Sequence, residues 1–499
     1  MYLYFIKIIV QHTVFLWTMT TQSSKKKFAL SFISFGLVQL ISQLASFFLI
    51  PLYTAKLSPT DYGSIEYASL FCVIIMILFS LQVQQGVVRF IADGPTEDEK
   101  QKIISTGFFI YTIGLASVSS AMCFVYLAFG YQFLFEDAYQ YLFIWQLSYF
   151  VLMCINNFFF SILIWESKSK TASIISVSTL VSTLISTIVF ILILDLSIKG
   201  YYMGLIFGQL VSVVLTLLLS KIKIKINFDT ALATDLLKFS IPTIFSSLAF
   251  YSWFVIDRFM LNYYINKDAI GVFAIALKFA SPLFLVTSVI ETSMVPLIVK
   301  DPHSAASKDL LKNIFSIASL IVILYLLLVS CYSQEIFMYF VDAKFEAGAS
   351  IIWCVCVGQL FAKWYFFNLG FTIYKKTFQF LIITLIGTFF NLLFTLYAIP
   401  RYGIVGAAVG TMLATFIFYG LIFYASHRLY PAKFQLKRFL ILLIITGSVN
   451  YFFIKNRTPI FIKTLAFVVV LPILLTAYKE PLLKMLKLGW NQITYFRAR

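Results

Sequence analysis

Long apolar runs alternate with short polar loops along almost the whole chain. Each run has about 20 residues or more, enough to cross a bilayer as a helix. The pattern predicts fourteen spans, at 28–52, 63–88, 103–129, 139–165, 171–194, 201–220, 238–264, 271–299, 312–333, 347–372, 377–399, 403–426, 437–454 and 458–478. The fold class that follows is an all-α polytopic membrane protein. No outer loop exceeds about 20 residues. That leaves no room for a large catalytic domain outside the bilayer, so we expect a protein that is not an enzyme.

Composition agrees. Of 499 residues, 61% are hydrophobic and 12% charged, where a soluble chain carries about a quarter charged residues. The net charge of +17 would point to nucleic acid on a soluble protein. Its placement says otherwise. With the N-terminus inside, 27 of the 38 Lys and Arg fall in inner segments and 8 in outer loops. This is the positive-inside bias, which puts both termini in the cytoplasm. Contact with anionic membrane lipids accounts for more of the basic charge, and no nucleic-acid partner is needed. The six cysteines sit in apolar runs without a C-x-x-C pair. His12, His303 and His427 lie outside the spans. No metal site, no cofactor and no P-loop is expected.

The first 27 residues form a cytoplasmic extension, and TTQSSKKK after Met19 suits the start of such a tail. We expect residues 1–18 to be untranslated. An internal echo follows. SPTDYGSIEYA, with Asp61 and Gly63, resembles INKDAIGVFAIA, with Asp268 and Gly271, about 207 residues on. It predicts two six-helix lobes, 28–235 and 236–426, and a third segment, 427–499, with two extra helices and a basic tail.

Polar residues inside the spans mark faces turned to protein or water. The first span carries Gln39 and Gln43. The second carries Gln82, Gln85 and Arg89 at i, i+3 and i+7. A glutamine amide in lipid leaves donors and acceptors unmet, so these faces read as lining a wet cavity, with Ser247 and Tyr251 of the seventh span. The fifth span has a Ser/Thr stripe (Ser178, Thr179, Ser182, Thr183, Ser186, Thr187) that serves either helix packing or a polar path.

Cations within the spans are the sharper signal, since each costs roughly 2.5–3.5 kcal/mol on insertion scales. Arg258 and Lys278 sit about 9–10 Å from the outer ends of successive spans. Lys363 and Arg89 lie nearer the cytoplasmic side. Two readings stand. Together the four would attract an anionic, pyrophosphate-like head group. Alternatively they pair internally, Arg258 with Asp257, and Lys278 or Lys363 with Glu291. Glu291 is also a candidate proton or Na⁺ coupling site. Pro242 and Pro282 lie inside spans, where bending can change access.

Four segments carry a family resemblance: ISQLASFFLIPLYTAKLSPTDYGSIEYASL from Ile41, QQGVVRFI from Gln84, IDRFMLNYYINKDAIGVFAIALKFASPL from Ile256 and YGIVGAAVGTMLA from Tyr402. In this order they resemble the polysaccharide transporter family, the Wzx-type flippases of lipid-linked oligosaccharides such as O-antigen units, within the multidrug/oligosaccharidyl-lipid/polysaccharide exporter superfamily. The resemblance implies a two-lobe helical bundle in the bacterial cytoplasmic membrane. It implies alternating access through a central cationic cavity, carrying undecaprenyl-pyrophosphate-linked oligosaccharide to the outer leaflet. By motif, Arg89, Arg258 and Lys278 would face the head group; Lys363 comes from the residue pattern alone. A polysaccharide polymerase or ligase is the implied partner. The competing readings are a membrane polymerase or glycosyltransferase, a drug/cation antiporter, and a peptidoglycan-precursor flippase. An antiporter should carry more acids in the first lobe, where Glu66 is the clear one.

Overall fold

The structure is a computed structural model describing residues 47–92, 96–129, 142–166, 168–220, 222, 228–374 and 376–479. Gln39, Gln43 and the expected start at Met19 lie outside the described residues. The regular elements described are all helical. In order they are α1 (Ile50–Lys56), α2 (Pro59–Phe79), α3 (Val83–Ala92), α4 (Glu97–Phe129), α5 (Leu142–Trp165), α6 (Ser169–Ile188), α7 (Ser197–Leu219), α8 (Thr230–Tyr264), α9 (Lys267–Lys278), α10 (Ser281–Lys300), α11 (Ala305–Phe340), α12 (Ile352–Lys363), α13 (Gly370–Ile373), α14 (Thr377–Leu429), α15 (Leu436–Lys455) and α16 (Ile460–Ala477). Among the described residues nine helices are long and apolar enough to cross a membrane, or eleven if two bent pairs each count as one span. The chain is an all-α polytopic membrane protein.

Contacts divide it into two compact units, one of Leu44–Ala274 and one holding Ile275–Arg499. In the first, α6 and α7 meet along a seam of small residues. Gly200, Gly204 and Gly208 stand one turn apart on α7. A Cβ on Gly204 would run into Thr187 Oγ1, and one on Gly208 would run into Thr183 Oγ1. The Ser186 hydroxyl donates to the Gly204 carbonyl across the seam at 3.1 Å. Lipid tails supply no hydrophobic drive between helices, so close backbone approach and hydroxyl bonds hold such pairs. The Ser/Thr stripe is therefore at least partly a packing face.

The predicted second span is broken. α2 stops at Phe79, and Leu81 and Gln82 take φ of 48° and 50° before α3 begins. Positive φ is costly for residues with a Cβ. Here local bonds hold it: Gln82 N–H donates to Ser80 Oγ at 3.2 Å, and Gln85 Nε2 donates to Gln82 Oε1 at 2.7 Å. Gln82, Gln85 and Arg89 thus do not share one helical face, as the sequence spacing had suggested.

In the second unit, α14 runs 53 residues but reverses at Gly403, whose φ of 59° and ψ of −134° suit only glycine. A Cβ on Gly406 would run into the Ala398 carbonyl, and one on Gly410 would lie 3.3 Å from Phe394 C. The two halves therefore lie side by side, and α14 contains the predicted eleventh and twelfth spans. The core of this unit is aromatic: Phe315 stacks on Trp364 at 5.4 Å between centroids, and Trp364 meets Phe439 edge-on at 4.4 Å. α16 is tied to α11 by a buried ion pair. Lys463 Nζ lies 2.8 Å from Glu335 Oε1 and donates to Gln334 Oε1 at 3.0 Å. α11 is kinked beside it at Tyr332, whose hydroxyl bonds Thr464 Oγ1 at 3.1 Å.

Candidate functional site

In the first unit Arg258 is buried on α8 at 8% exposure. Its guanidinium lies 3.3 Å from Asp257 Oδ1 and 5.7 Å from the Phe273 ring centre. Asp257 Oδ1 also accepts the Arg258 backbone N–H at 2.8 Å. Neighbours on a helix point about 100° apart. The Asp257 carboxylate turns back toward its own backbone, and the long arginine reaches it there. The pairing of Arg258 with Asp257 is thus present, and Tyr251 lies within electrostatic range of Arg258. Ser247, one turn before Tyr251 on α8, is half-buried.

Arg89 is elsewhere. It sits exposed on α3, whose Gly86 packs against Ser240 and Leu236 near the start of α8. From Ser240 to Arg258 is 18 residues of helix, about 27 Å of rise. One head group cannot touch Arg89 and Arg258 at once. The sequence alone left a feature near Arg258 unread. Glu66 on α2 is hydrogen-bonded by Tyr62 and lies within electrostatic range of Tyr201, Tyr202 and Tyr251. Tyr53 joins this group, 5.3 Å from Tyr201 and 6.2 Å from Tyr62 between ring centres. One carboxylate is therefore ringed by phenols.

Two spans are broken, the first beginning at the end of the first unit and the other wholly in the second. α9 and α10 meet at a 49° bend, and the helices flanking Ile351 meet at 59°. Lys278 is the last residue of α9 and Lys363 the last of α12. Lys278 thus ends the half-helix before the first bend, while Lys363 closes α12 where the chain runs on into a 3-10 turn at Trp364–Phe367. At each helix end the backbone presents partial negative charge and a cation is favoured. The first break is held by its neighbours, because the Phe279 carbonyl accepts from the Tyr325 hydroxyl and faces Cys356 Sγ at 3.7 Å. Lys363 Nζ lies 5.5 Å from the ring centre of Phe284, just beyond that break. Glu291, one helical stretch further along α10, interacts electrostatically with Lys363 and Tyr365. Of the two partners considered for Glu291, Lys363 is the one this interaction identifies. Lys363, Phe284 and Glu291 gather beside the break that Lys278 precedes.

A second ionic cluster lies at the polar ends of the first unit. Glu166, its side chain 5% exposed, is 2.6 Å from Lys100 Nζ and 2.7 Å from Lys168 Nζ. Lys168 also donates to the Ser220 carbonyl at 2.9 Å, and Lys102 pairs with Asp229 at 2.5 Å. Burial pushes the Glu166 carboxyl up, but the bonds and charges of Lys100 and Lys168 outweigh it and hold it below its ordinary value. Among the described residues no three His, Cys, Asp or Glu side chains gather to hold a metal ion.

The sequence echo has a structural register. Ser58 Oγ accepts the Asp61 N–H at 3.0 Å, and Asn266 Oδ1 accepts the Ala269 N–H at 3.0 Å, so each segment caps its own helix in the same way. The Thr60 hydroxyl bonds the Asp268 carboxylate, 208 positions apart. That spacing also relates Ser58 to Asn266 and Gly63 to Gly271, so the repeat is one residue longer than the aspartates suggested.

Several known structures resemble this one. Lipid II flippase MurJ, in an inward closed conformation, aligns with a TM-score of 0.71 at 15% identity, covering 91% of this chain and 99% of its own. An inward-facing multidrug resistance MATE family transporter of the MOP superfamily aligns with a TM-score of 0.60 at 13% identity, covering 79% of this chain and 98% of its own. A point mutant of the Vibrio cholerae MATE transporter VcmN aligns with a TM-score of 0.51 at 14% identity, covering 84% and 96%. At these identities the likeness is one of fold. No curated protein matches by sequence. A family profile described as "Polysaccharide biosynthesis protein" does match, over residues 29–301, more than half of the chain. The chain belongs to the polysaccharide biosynthesis protein family, and its fold is like those of MurJ and the MATE transporters.

Proposed function

We propose that this protein is a flippase that moves undecaprenyl-pyrophosphate-linked oligosaccharide repeat units, of O-antigen or capsular type, from the cytoplasmic to the outer leaflet of a bacterial inner membrane. It does so as fourteen spans in two lobes, 28–235 and 236–426, which alternate in access around the head group, with both termini in the cytoplasm. No bond is made or broken. The exported unit then passes to a polysaccharide polymerase or ligase. The observation that carries this reading is the pair of lysines at the C-terminal ends of α9 and α12 in one unit. A pyrophosphate offers oxygens that charged donors bind at roughly 1.5–3 kcal/mol each. Lys278 and Lys363 are the primary head-group residues, with Glu291 restraining Lys363. Arg258, already paired with Asp257, and Arg89, about 27 Å along α8, serve as later and earlier stations. Gln82, Gln85, Ser247 and Tyr251 line the way for the sugar.

The fold resembles the lipid II flippase and, less fully, the multidrug transporters; the family description favours a lipid-linked sugar. One observation favours the antiporter reading, the single carboxylate Glu66 among tyrosines, where a coupling cation or proton could sit.

The test is to delete the gene in its host and locate the lipid-linked sugar on each face of the cytoplasmic membrane. Build-up on the inner face, cured by the intact gene but not by Lys278→Ala, supports the flippase. Single repeat units that reach the outer face but fail to lengthen refute it in favour of a polymerase. Sensitivity to cationic drugs with normal sugar export favours the antiporter.

A further inference from the structure

In the first unit five tyrosines from four helices gather around one carboxylate. Tyr53 comes from α1, Tyr62 and Glu66 from α2, Tyr201 and Tyr202 from α7, and Tyr251 from α8. Four of the rings form a continuous chain. Tyr53 meets Tyr62 at 6.2 Å and Tyr201 edge-on at 5.3 Å, and Tyr201 meets Tyr202 edge-on at 5.5 Å between centres. Tyr62 is hydrogen-bonded to Glu66, which also lies within electrostatic range of Tyr201, Tyr202 and Tyr251.

The group has two layers. Tyr53, Tyr62 and Tyr202 are buried at 8%, 2% and 0% exposure, while Glu66, Tyr201 and Tyr251 are only half-buried. Buried rings thus back a front of one carboxylate and two phenols. Tyrosines that face lipid head groups look different: Tyr263 and Tyr264 at the end of α8 are 79% and 41% exposed. The collar turns inward, and a carboxylate within a span belongs with protein or water rather than lipid. Packing does not explain the hydroxyls. The Tyr202 hydroxyl is buried with no hydrogen-bond partner among the described residues. Phenylalanine would fill that space without burying an unmet O–H.

A pyranose ring has apolar C–H faces and a rim of hydroxyls. A phenol offers an apolar face to the first and an O–H to the second. A carboxylate accepts from two neighbouring hydroxyls at once, through charge-assisted bonds stronger than neutral ones. A phosphate, by contrast, is repelled by a carboxylate. Aromatic walls with a few placed polar groups are the usual lining of a small-ligand site.

We infer that Glu66, Tyr201 and Tyr251 form a sugar-binding station, which takes a pyranose of the cargo against the two rings with its hydroxyls on the carboxylate. Tyr53, Tyr62 and Tyr202 are positioning residues behind it. The inference rests on the translocation reading. It assigns Glu66 to the sugar and not to a coupling ion.

The experiment uses the full chain purified in detergent. The probe is the lipid-free oligosaccharide that mild acid releases from the host's lipid-linked pool, labelled with tritium at its reducing end. In equilibrium dialysis the wild type should bind it in the millimolar range. Glu66→Gln, which keeps the shape and removes the charge, should weaken binding about tenfold. Tyr251→Ala should match that loss, and Tyr251→Phe, which keeps the ring, should restore most of it. Lys278→Ala should bind as the wild type does, because this probe carries no phosphate. A wild type that does not bind the sugar overturns the station. So do Glu66→Gln and Tyr251→Ala variants that fold normally and bind like the wild type. Glu66→Gln that keeps sugar binding but abolishes the response of transport to a proton or Na⁺ gradient makes Glu66 a coupling site instead. The deletion strain separates the two readings. If inner-face build-up is cured in full by the Glu66→Gln/Tyr251→Ala gene, the flippase stands and the station falls. If binding depends on Glu66 while deletion leaves the lipid-linked sugar normally distributed, the station stands and the flippase falls.

Discussion

Lys463 stands in the first turn of α16 with 2% of its surface exposed, its ammonium 2.8 Å from Glu335 and 3.0 Å from Gln334 on α11. Replacing it by methionine keeps length and apolar bulk but strands the Glu335 carboxylate, whose side chain is only 16% exposed. Removing one partner of a buried pair costs about 3–5 kcal/mol. Glu335 keeps some exposure, so the lower end applies, about 3 kcal/mol or a hundredfold in the folding equilibrium. Replacing both residues, as Lys463→Met/Glu335→Leu, removes the stranded charge and should recover most of the loss, because an apolar pair of similar volume is often neutral or better. The coupling between the two sites should therefore exceed about 2 kcal/mol. Denaturant titration of detergent-solubilised protein, followed by tryptophan fluorescence, reads this for the wild type, both single variants and the double. If Lys463→Met lies within about 0.5 kcal/mol of the wild type, or the double variant loses the sum of the singles, the pair does not pin α16 and the reasoning fails.

Three other expectations follow from the same geometry. Gly208→Leu should cost about 1–3 kcal/mol by overpacking the α6–α7 seam, and Thr183→Ala in the same chain should recover part of it; equal damage with and without Thr183→Ala would refute the seam. Glu166→Gln should destabilise the protein at neutral pH. Because the folded carboxyl titrates below its unfolded value, its contribution is present above the unfolded pKa and is lost as pH falls through the folded one. Variant and wild type should thus converge in acid, and a gap that is constant with pH would argue against the Lys100–Glu166–Lys168 cluster. Lys278→Ala and Lys363→Ala should each lower transport roughly tenfold to a hundredfold, the worth of about 1.5–3 kcal/mol per charged contact, with normal membrane insertion. Full activity in both would return these lysines to compensating the helix ends.

Much of the fold is legible in the sequence because the bilayer imposes a long period that short-range chemistry cannot hide. Nine to eleven of the fourteen expected spans have counterparts among the described residues, the Ser/Thr stripe packs against α7, and the two echoing segments cap their helices alike. The breaks were harder to read. Nothing in FSLQV at Phe79–Val83 announces a turn, since no glycine or proline supplies it. The break is set instead by Gln82, whose amide bonds to its own neighbours. Lys278 and Lys363 were visible as cations, but their position at helix ends depends on partners far along the chain, such as Tyr325 at the Phe279 carbonyl. Lys463 reads as a flanking residue of the last span, because its acid partner is 128 positions away. The pairing of adjacent Asp257 and Arg258 was legible only as one of two readings. Helical spacing separates them, but a side chain that folds back to its own backbone does not obey that spacing.

The reversal of α14 at Gly403 bears on how the protein is made. Its two halves are joined with almost no chain to spare. Neither half can settle in the membrane while the other waits outside, so they enter as one hairpin. No polar loop has to be carried across at that point, and there is none for a protease or a topology tag to find. Everything after Leu429 inherits its orientation from this single insertion event. Losing either half would turn α15 and α16 upside down relative to the cell, a fault of biogenesis that no strengthening of packing elsewhere could repair.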